Sequence, residues 1–68
     1  MSFLFDATIR VNEYMVDEPG FIDDLRLVIA DTEEAARAKY DAFWKGKSDY
    51  HGGTTYSVWS LEVTETLI

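Results

Sequence analysis

A regular alternation of apolar and polar side chains near the start of the chain limits the fold more than any other feature. Every odd position from Phe3 to Val11 is apolar, and most even positions between them are polar. Successive side chains of a β-strand point to opposite faces, so the pattern predicts a strand with one buried face. We expect this strand to cover residues 3–15.

A hairpin loop and a second strand are predicted next. Asp17-Glu18-Pro19-Gly20 indicates a type II turn, in which the glycine adopts a positive φ. The second strand is expected over residues 24–30. Its inward side chains are predicted to be Leu25, Leu27 and Ile29, and its outward side chains Asp24, Arg26 and Val28.

One helix follows the second strand. Asp31 or Thr32 can cap its first turn, and Gly46 is the expected stop. Residues spaced by four with alternating charge indicate a solvated face; they are Glu33, Arg37, Asp41 and Lys45. The apolar stripe that faces the sheet is predicted to be Ala35, Ala36, Tyr40, Phe43 and Trp44.

The last strand is expected from about Tyr56 towards Leu67, after a glycine-rich loop. Trp59, Leu61 and Val63 are predicted to face the helix, with Tyr56 and Val58 on the opposite, open face. The long first strand should lie in the centre of the sheet. The prediction is therefore a single α+β domain over residues 1–68, a mostly antiparallel three-stranded sheet with one helix packed on one face (β-β-α-β).

Charge narrows the range of partners. Acidic residues outnumber basic ones by 13 to 6, which gives a formal net charge of −7. Nucleic acids and anionic membranes are bound through Lys and Arg, so neither is an expected direct partner. The start of the chain lacks the pattern of a secretion signal and no apolar run is long enough for a membrane span, which predicts a cytoplasmic protein.

Catalytic and metal-binding patterns are missing from the sequence. There is no cysteine, and the single histidine, His51, lies in the glycine-rich loop. Adjacent carboxylates such as Asp23 and Asp24 would point to opposite faces of a strand, so they cannot readily act on one substrate. We expect no enzymatic activity, no metal site and no cofactor.

Protein binding is the function that these features favour. A partner with a basic surface would suit the acidic hairpin and the aromatic loop, and unpaired strand edges could accept a strand. The predicted partner-binding residues are Tyr14, Asp17, Glu18, Asp23, Asp24, Lys47, Asp49, Tyr50, His51 and Tyr56. The acidity can imitate the phosphates of DNA or simply give solubility, and solubility is the simpler explanation.

Two alternatives remain at this stage. One is a homodimer or larger homo-oligomer, with a structural or regulatory role, that buries the open sheet face. The other is a ligand-binding protein or enzyme with its site at a dimer interface.

The segment over residues 25–35, Leu-Arg-Leu-Val-Ile-Ala-Asp-Thr-Glu-Glu-Ala, resembles the strand-to-helix junction of a phage protein family that inhibits host RNA polymerase. It is also similar to several anti-CRISPR proteins, and the resemblance of pattern extends from Phe3 to Val63. It implies a small inhibitor that occludes a surface of a larger host protein or nucleoprotein machine in the host cytoplasm.

Overall fold

The computed structural model describes residues 1–49 and 51–67. Three strands and one helix occur in the order β1 (Ser2–Glu13), β2 (Gly20–Ile29), α1 (Glu33–Lys47) and β3 (Thr54–Leu67). The strands form one antiparallel sheet in the order β2-β1-β3, with α1 on one face. The predicted α+β class and the central position of the first strand are confirmed. No helix in the described part of the chain is long and apolar enough to span a membrane.

The face of the sheet beneath α1, here called the covered face, contains the hydrophobic core. β1 contributes Phe3, Phe5, Ala7 and Ile9, as the alternation predicted. The helix contributes Ala36, Tyr40 and Trp44, which lie one turn apart on one side. Ala35 is exposed, so its assignment to the apolar stripe was wrong.

The two faces of β2 are the reverse of those predicted. Cross-strand pairing places Val28 opposite Phe3, Arg26 opposite Phe5 and Asp24 opposite Ala7, all on the covered face. The other face of the sheet, here called the uncovered face, carries Leu25, Leu27 and Ile29, which are 66%, 51% and 67% exposed.

Partners on the helix explain the reversal. The Tyr40 hydroxyl donates a hydrogen bond of 2.8 Å to Asp24 Oδ2, and the Arg26 guanidinium lies 4.1 Å from the Phe43 ring centroid. Arg26 Nε also donates to Asp24 Oδ2 over 3.1 Å. Polar and charged groups can therefore occupy the margin of the covered face because the helix supplies their partners.

Two bulges in β3 change which of its residues face the helix. Thr8 pairs with Ser60 but Ile9 pairs with Val58, so Trp59 is an extra residue at this point. Leu4 pairs with Glu65 but Phe5 pairs with Val63, so Thr64 is a second extra residue in β3. Trp59 is consequently exposed on the uncovered face, whereas Tyr56 and Val58 pack against the core, contrary to prediction. Leu61 and Val63 face the helix as expected.

The hairpin turn lies earlier than predicted. Gly20 is already part of β2 and pairs with Val11, so the type II turn at Pro19-Gly20 is not formed. The reversal is made by Met15, whose φ is 66°, and by a 3.2 Å hydrogen bond from the Val16 N–H to the Glu13 carbonyl. A positive φ at a residue with a side chain is uncommon, which is why the sequence pointed to the glycine instead.

The ends of α1 depend on two hydroxyl residues. Thr32 is the N-cap, and its side chain accepts a 3.1 Å hydrogen bond from the Ala35 N–H. The helix continues through Gly46, the predicted stop, and ends at Lys47. Ser48 is the C-cap: its N–H donates to the Lys45 carbonyl, and its Oγ accepts from the Tyr56 N–H at 2.9 Å.

Candidate protein-binding surfaces

Two of the predicted contact segments meet at one end of the sheet. The Tyr14 N–H donates a 2.7 Å hydrogen bond to the Gly53 carbonyl, which joins the loop after β1 to the loop before β3. Gly53 has a φ of 81°, and a Cβ there would lie 2.5 Å from Tyr14 Cβ. Only glycine fits this contact without movement. We call residues 14–19 with residues 49 and 51–53 the hairpin end.

The loop before β3 is organised by Asp49. Its carboxylate accepts hydrogen bonds from the backbone N–H groups of His51 and Gly52, at 3.0 and 2.8 Å. The backbones of Asp49 and Thr54 exchange two further hydrogen bonds, at 2.7 and 3.0 Å. The glycines therefore allow a hydrogen-bonded turn of the Asx type, where the sequence indicated only a glycine-rich loop. Tyr50, a predicted contact residue, lies outside the described residues.

Apolar side chains project from the tip of the hairpin end. Tyr14 and Met15 are 79% and 85% exposed, and Val16 beside them is also exposed. Asp17 and Glu18 follow, and within the described residues neither carboxylate forms a salt bridge. Sequence reasoning identified Tyr14 and the two acids but missed Met15 and Val16. The available signal was an apolar triplet directly before a turn-forming Asp-Glu-Pro-Gly segment.

The hairpin end also contains a small cavity of about 350 Å³. Its lining consists of Val11, Glu13, Val16, Glu18, Pro19 and Gly20. The described lining combines the carboxylates of Glu13 and Glu18 with apolar groups. In the described part of the chain, no group of three or more His, Cys, Asp and Glu side chains is arranged to hold a metal ion. The cavity thus provides shape and negative charge at this end of the sheet.

The adjacent aspartates of β2 have separate environments. Asp23 is exposed on the uncovered face and accepts a weak 3.4 Å hydrogen bond from the Thr8 hydroxyl. Asp24 lies on the covered face between Tyr40 and Arg26. Burial raises the pKa of Tyr40 to about 12, and the hydrogen bond to Asp24 acts in the same direction. The Asp24 carboxylate is therefore engaged inside the fold, while Asp23 is accessible to a partner.

The remaining predicted contact residues are distributed unevenly. His51 and Lys47 are exposed near the hairpin end, with the Lys47 ammonium 4.9 Å from the Phe43 ring centroid. Tyr56 is half-buried, with its ring 5.3 Å from that of Trp44. The hairpin end and its surroundings thus bring together Tyr14, Asp17, Glu18, Lys47, Asp49 and His51, but they do not include Asp23 or Asp24.

The uncovered face is a second candidate surface. Leu25, Leu27 and Ile29 form an apolar stripe along β2, and Leu4 of β1 lies beside Leu27. Cross-strand pairing places acidic residues on the same face, namely Asp6, Asp23, Glu62 and Glu65. Arg10 is the basic residue of this face in the described part of the chain. Its guanidinium lies 5.6 Å from the Trp59 ring centroid, and Phe21 packs edge-on against that ring.

No protein family, curated protein sequence or solved structure matches the chain.

Proposed function

We propose that the chain is a small acidic protein-binding module that acts by covering a surface of a larger protein or nucleoprotein complex, and not by catalysis. The observation that carries this proposal is the hairpin end, where exposed Tyr14 and Met15 stand on a turn tied to Gly53 by a short backbone hydrogen bond. A contact surface held in place before binding loses less conformational entropy when it binds.

The side chains of the hairpin end support a proposal for the chemistry of the partner. Exposed tyrosine and methionine side chains fit an apolar cleft, because both bury a large area when they contact a partner. Asp17 and Glu18 stand beside them, so lysine and arginine residues should border that cleft. The net charge of −7 would speed the approach to such a basic surface.

An inhibitory role is part of the same proposal. The resemblance of residues 25–35 to phage inhibitors of host machinery supports it, and a domain of this size is large enough to occlude a site on a partner. A cytoplasmic bacterial protein or nucleoprotein complex is therefore the proposed target.

Affinity capture from bacterial extract followed by mass spectrometry tests the proposal when it is combined with a variant of the hairpin tip. Met15→Asp places a charge at the most exposed apolar side chain of the tip. We expect the wild-type chain to recover a partner that this variant loses. Titration of the purified partner should then show binding that weakens as ionic strength rises.

Leu67→Asp is the matched control, since Leu67 is also exposed and apolar but pairs with Ser2 at the opposite end of the sheet. Binding should survive this change. Recovery of the same partner by the Met15→Asp variant, at unchanged affinity, would remove the hairpin end from the interface. Absence of any partner that the wild type binds reproducibly would count against the proposed function.

A further inference from the structure

The two edges of the sheet differ in how they are protected. β3 contains two bulges, which distort its pairing with β1, whereas β2 pairs with β1 without a break from Ile29 to Gly20. Edge strands are commonly protected by bulges, prolines or lysines, which prevent pairing with another chain. The sequence of β2, Gly-Phe-Ile-Asp-Asp-Leu-Arg-Leu-Val-Ile, contains no proline or lysine, and its pairing with β1 has no bulge. Its inward-pointing charges, Asp24 and Arg26, are a further protective device, but here they already have partners in each other and on the helix. The edge of β2 is therefore a regular template for one more strand.

Odd and even residue numbers show which backbone groups of β2 point towards β1 and which point outward from the edge. The Ala30 N–H donates to the Met1 carbonyl at 3.0 Å, so even-numbered residues of β2 direct their backbone groups towards β1. Odd-numbered residues then direct theirs outward, and the Lys39 ammonium indeed reaches the Ile29 carbonyl from outside, at 2.8 Å. The outward groups of Asp23, Leu25 and Leu27 have no partner in the described part of the chain.

We propose that β2 pairs with β2 of a second copy, antiparallel and centred on Leu25, to give one continuous six-stranded sheet. This arrangement places Leu25 opposite its own counterpart and Leu27 opposite Asp23 of the other copy. The Lys39 bond to Ile29 remains intact if the ladder is limited to residues 23–27. The apolar stripes of the two copies then become neighbours on the uncovered face.

The charged side chains favour this register over the two adjacent registers, centred on Asp24 or Arg26. Centring on Leu25 places Arg26 of each copy opposite Asp24 of the other, which gives two pairs of opposite charge. Centring on Asp24 would place two aspartates directly opposite each other, and centring on Arg26 would do the same with two arginines. Like charges at directly opposed positions destabilise a strand pair.

Charge also favours edge pairing over stacking of two uncovered faces. Among the described residues, that face carries Asp6, Asp23, Glu62 and Glu65 against one cation, Arg10. Face-to-face packing would bring eight carboxylates from the two copies into a layer that excludes water, at a high desolvation cost. Edge pairing leaves Asp6, Glu62 and Glu65 in solvent. The two hairpin ends point in opposite directions in such a dimer, so both stay available.

Sedimentation velocity over a concentration series tests the dimer. The wild type should sediment as a dimer and Leu25→Pro as a folded monomer, because proline removes an outward N–H without touching the β1 ladder. Leu25→Ala, which keeps that N–H, is the matched control and should remain dimeric. A wild type that stays monomeric at the highest concentration, or a Leu25→Pro variant that dimerises normally, would overturn the proposal.

A disulfide test fixes the register and does not depend on the folding of the proline variant. The chain has no cysteine, so single replacements give unambiguous products. Leu25 and its counterpart would form a hydrogen-bonded pair, whose Cα atoms lie about 5.5 Å apart, within the range of a disulfide. Leu25→Cys should therefore form a covalent dimer under mild oxidation, and Leu27→Cys should form several-fold less. Equal yields, or a higher yield from Leu27→Cys, would exclude the register centred on Leu25.

Discussion

The two faces of the sheet differ in an unexpected way at β2, which places charged side chains on the covered face and hydrophobic side chains on the uncovered face. Beneath the helix, β2 presents Asp24 and Arg26, which bind Tyr40 and stack on Phe43. On the opposite face it exposes Leu25, Leu27 and Ile29. β1 shows the ordinary arrangement, with Phe3, Phe5 and Ile9 buried under the helix. The difference shows that the alternation of a strand gives its period but not which side is buried.

The largest effect expected from this difference concerns equivalent truncations on the two faces. Phe5→Ala should cost about 3–5 kcal/mol of unfolding free energy because Phe5 is fully buried and its ring lies 5.6 Å from that of Tyr40. A domain this small has roughly that much stability in total. Leu27→Ala on the uncovered face should change it by less than about 0.5 kcal/mol.

Urea denaturation followed by circular dichroism measures both variants, at concentrations low enough to separate folding from association. Similar losses for the two would mean that the uncovered stripe is buried in solution.

The loss of stability at alkaline pH should depend on Tyr40, the buried tyrosine of the covered face. An unfolded tyrosine releases its proton near pH 10, whereas Tyr40 keeps it until about pH 12 in the folded chain. Its contribution is fully present below pH 10 and is lost as pH rises through 12, because deprotonation then favours the unfolded chain. The loss should amount to roughly 2–3 kcal/mol.

Tyr40→Phe should remove this part of the pH dependence, which tyrosinate absorbance and denaturant titrations at several pH values can follow. A wild type and a variant with parallel stability profiles between pH 10 and 12 would contradict the assignment.

A smaller difference is expected between the neighbouring aspartates. Asp24→Asn should destabilise the fold by about 1–3 kcal/mol, since it removes the charge that pairs with Arg26 and weakens the acceptor for the buried Tyr40 hydroxyl. Asp23→Asn should have an effect within about 0.5 kcal/mol, because its bond to Thr8 is long and exposed. Thermal unfolding of the two variants side by side measures this, and a larger loss for Asp23→Asn would reverse our assignment of the faces.

The smallest expected effect tests the exposed aromatic of β3. Trp59→Phe should leave stability within about 0.5 kcal/mol of the wild type, because Trp59 lies on the uncovered face beside Phe21. It should also remove the part of the tryptophan fluorescence that acrylamide quenches readily. The remaining Trp44 is buried against Tyr56 and should be quenched slowly. Strong quenching after the substitution would place Trp44 in solvent instead.

Local signals predicted the element order well, and long-range contacts decided the rest. The alternation of β1 depends on neighbours in sequence and could be predicted directly, and the helix cap was narrowed to Asp31 or Thr32, of which the structure uses Thr32. The faces of β2 depend on Tyr40, which lies 16 residues from its partner Asp24, and on Phe43, which contacts Arg26. The bulge at Trp59 arises from the pairing of β1 with β3, and the alternation within β3 gives no sign of it.

The sequence indicated several residues of the candidate site but not how they come together. Tyr14, Asp17 and Asp49 were identified from loop chemistry, and the structure places them at the same end of the sheet. Their proximity follows from the hydrogen bond between Tyr14 and Gly53, residues that are far apart in sequence. Met15 was missed because the apolar triplet of residues 14–16 indicates the end of the first strand, whereas the chain reverses at Met15 with a φ of 66°.

The place of β1 in the sheet has a consequence for how the chain folds. The central strand is synthesised first, and one of its two neighbours, Thr54–Leu67, is synthesised last. Ser2 pairs with Leu67, so completing the sheet closes a loop of nearly the whole chain. Such non-local pairing slows folding. During translation one edge of β1 therefore remains unpaired until β3 has left the ribosome.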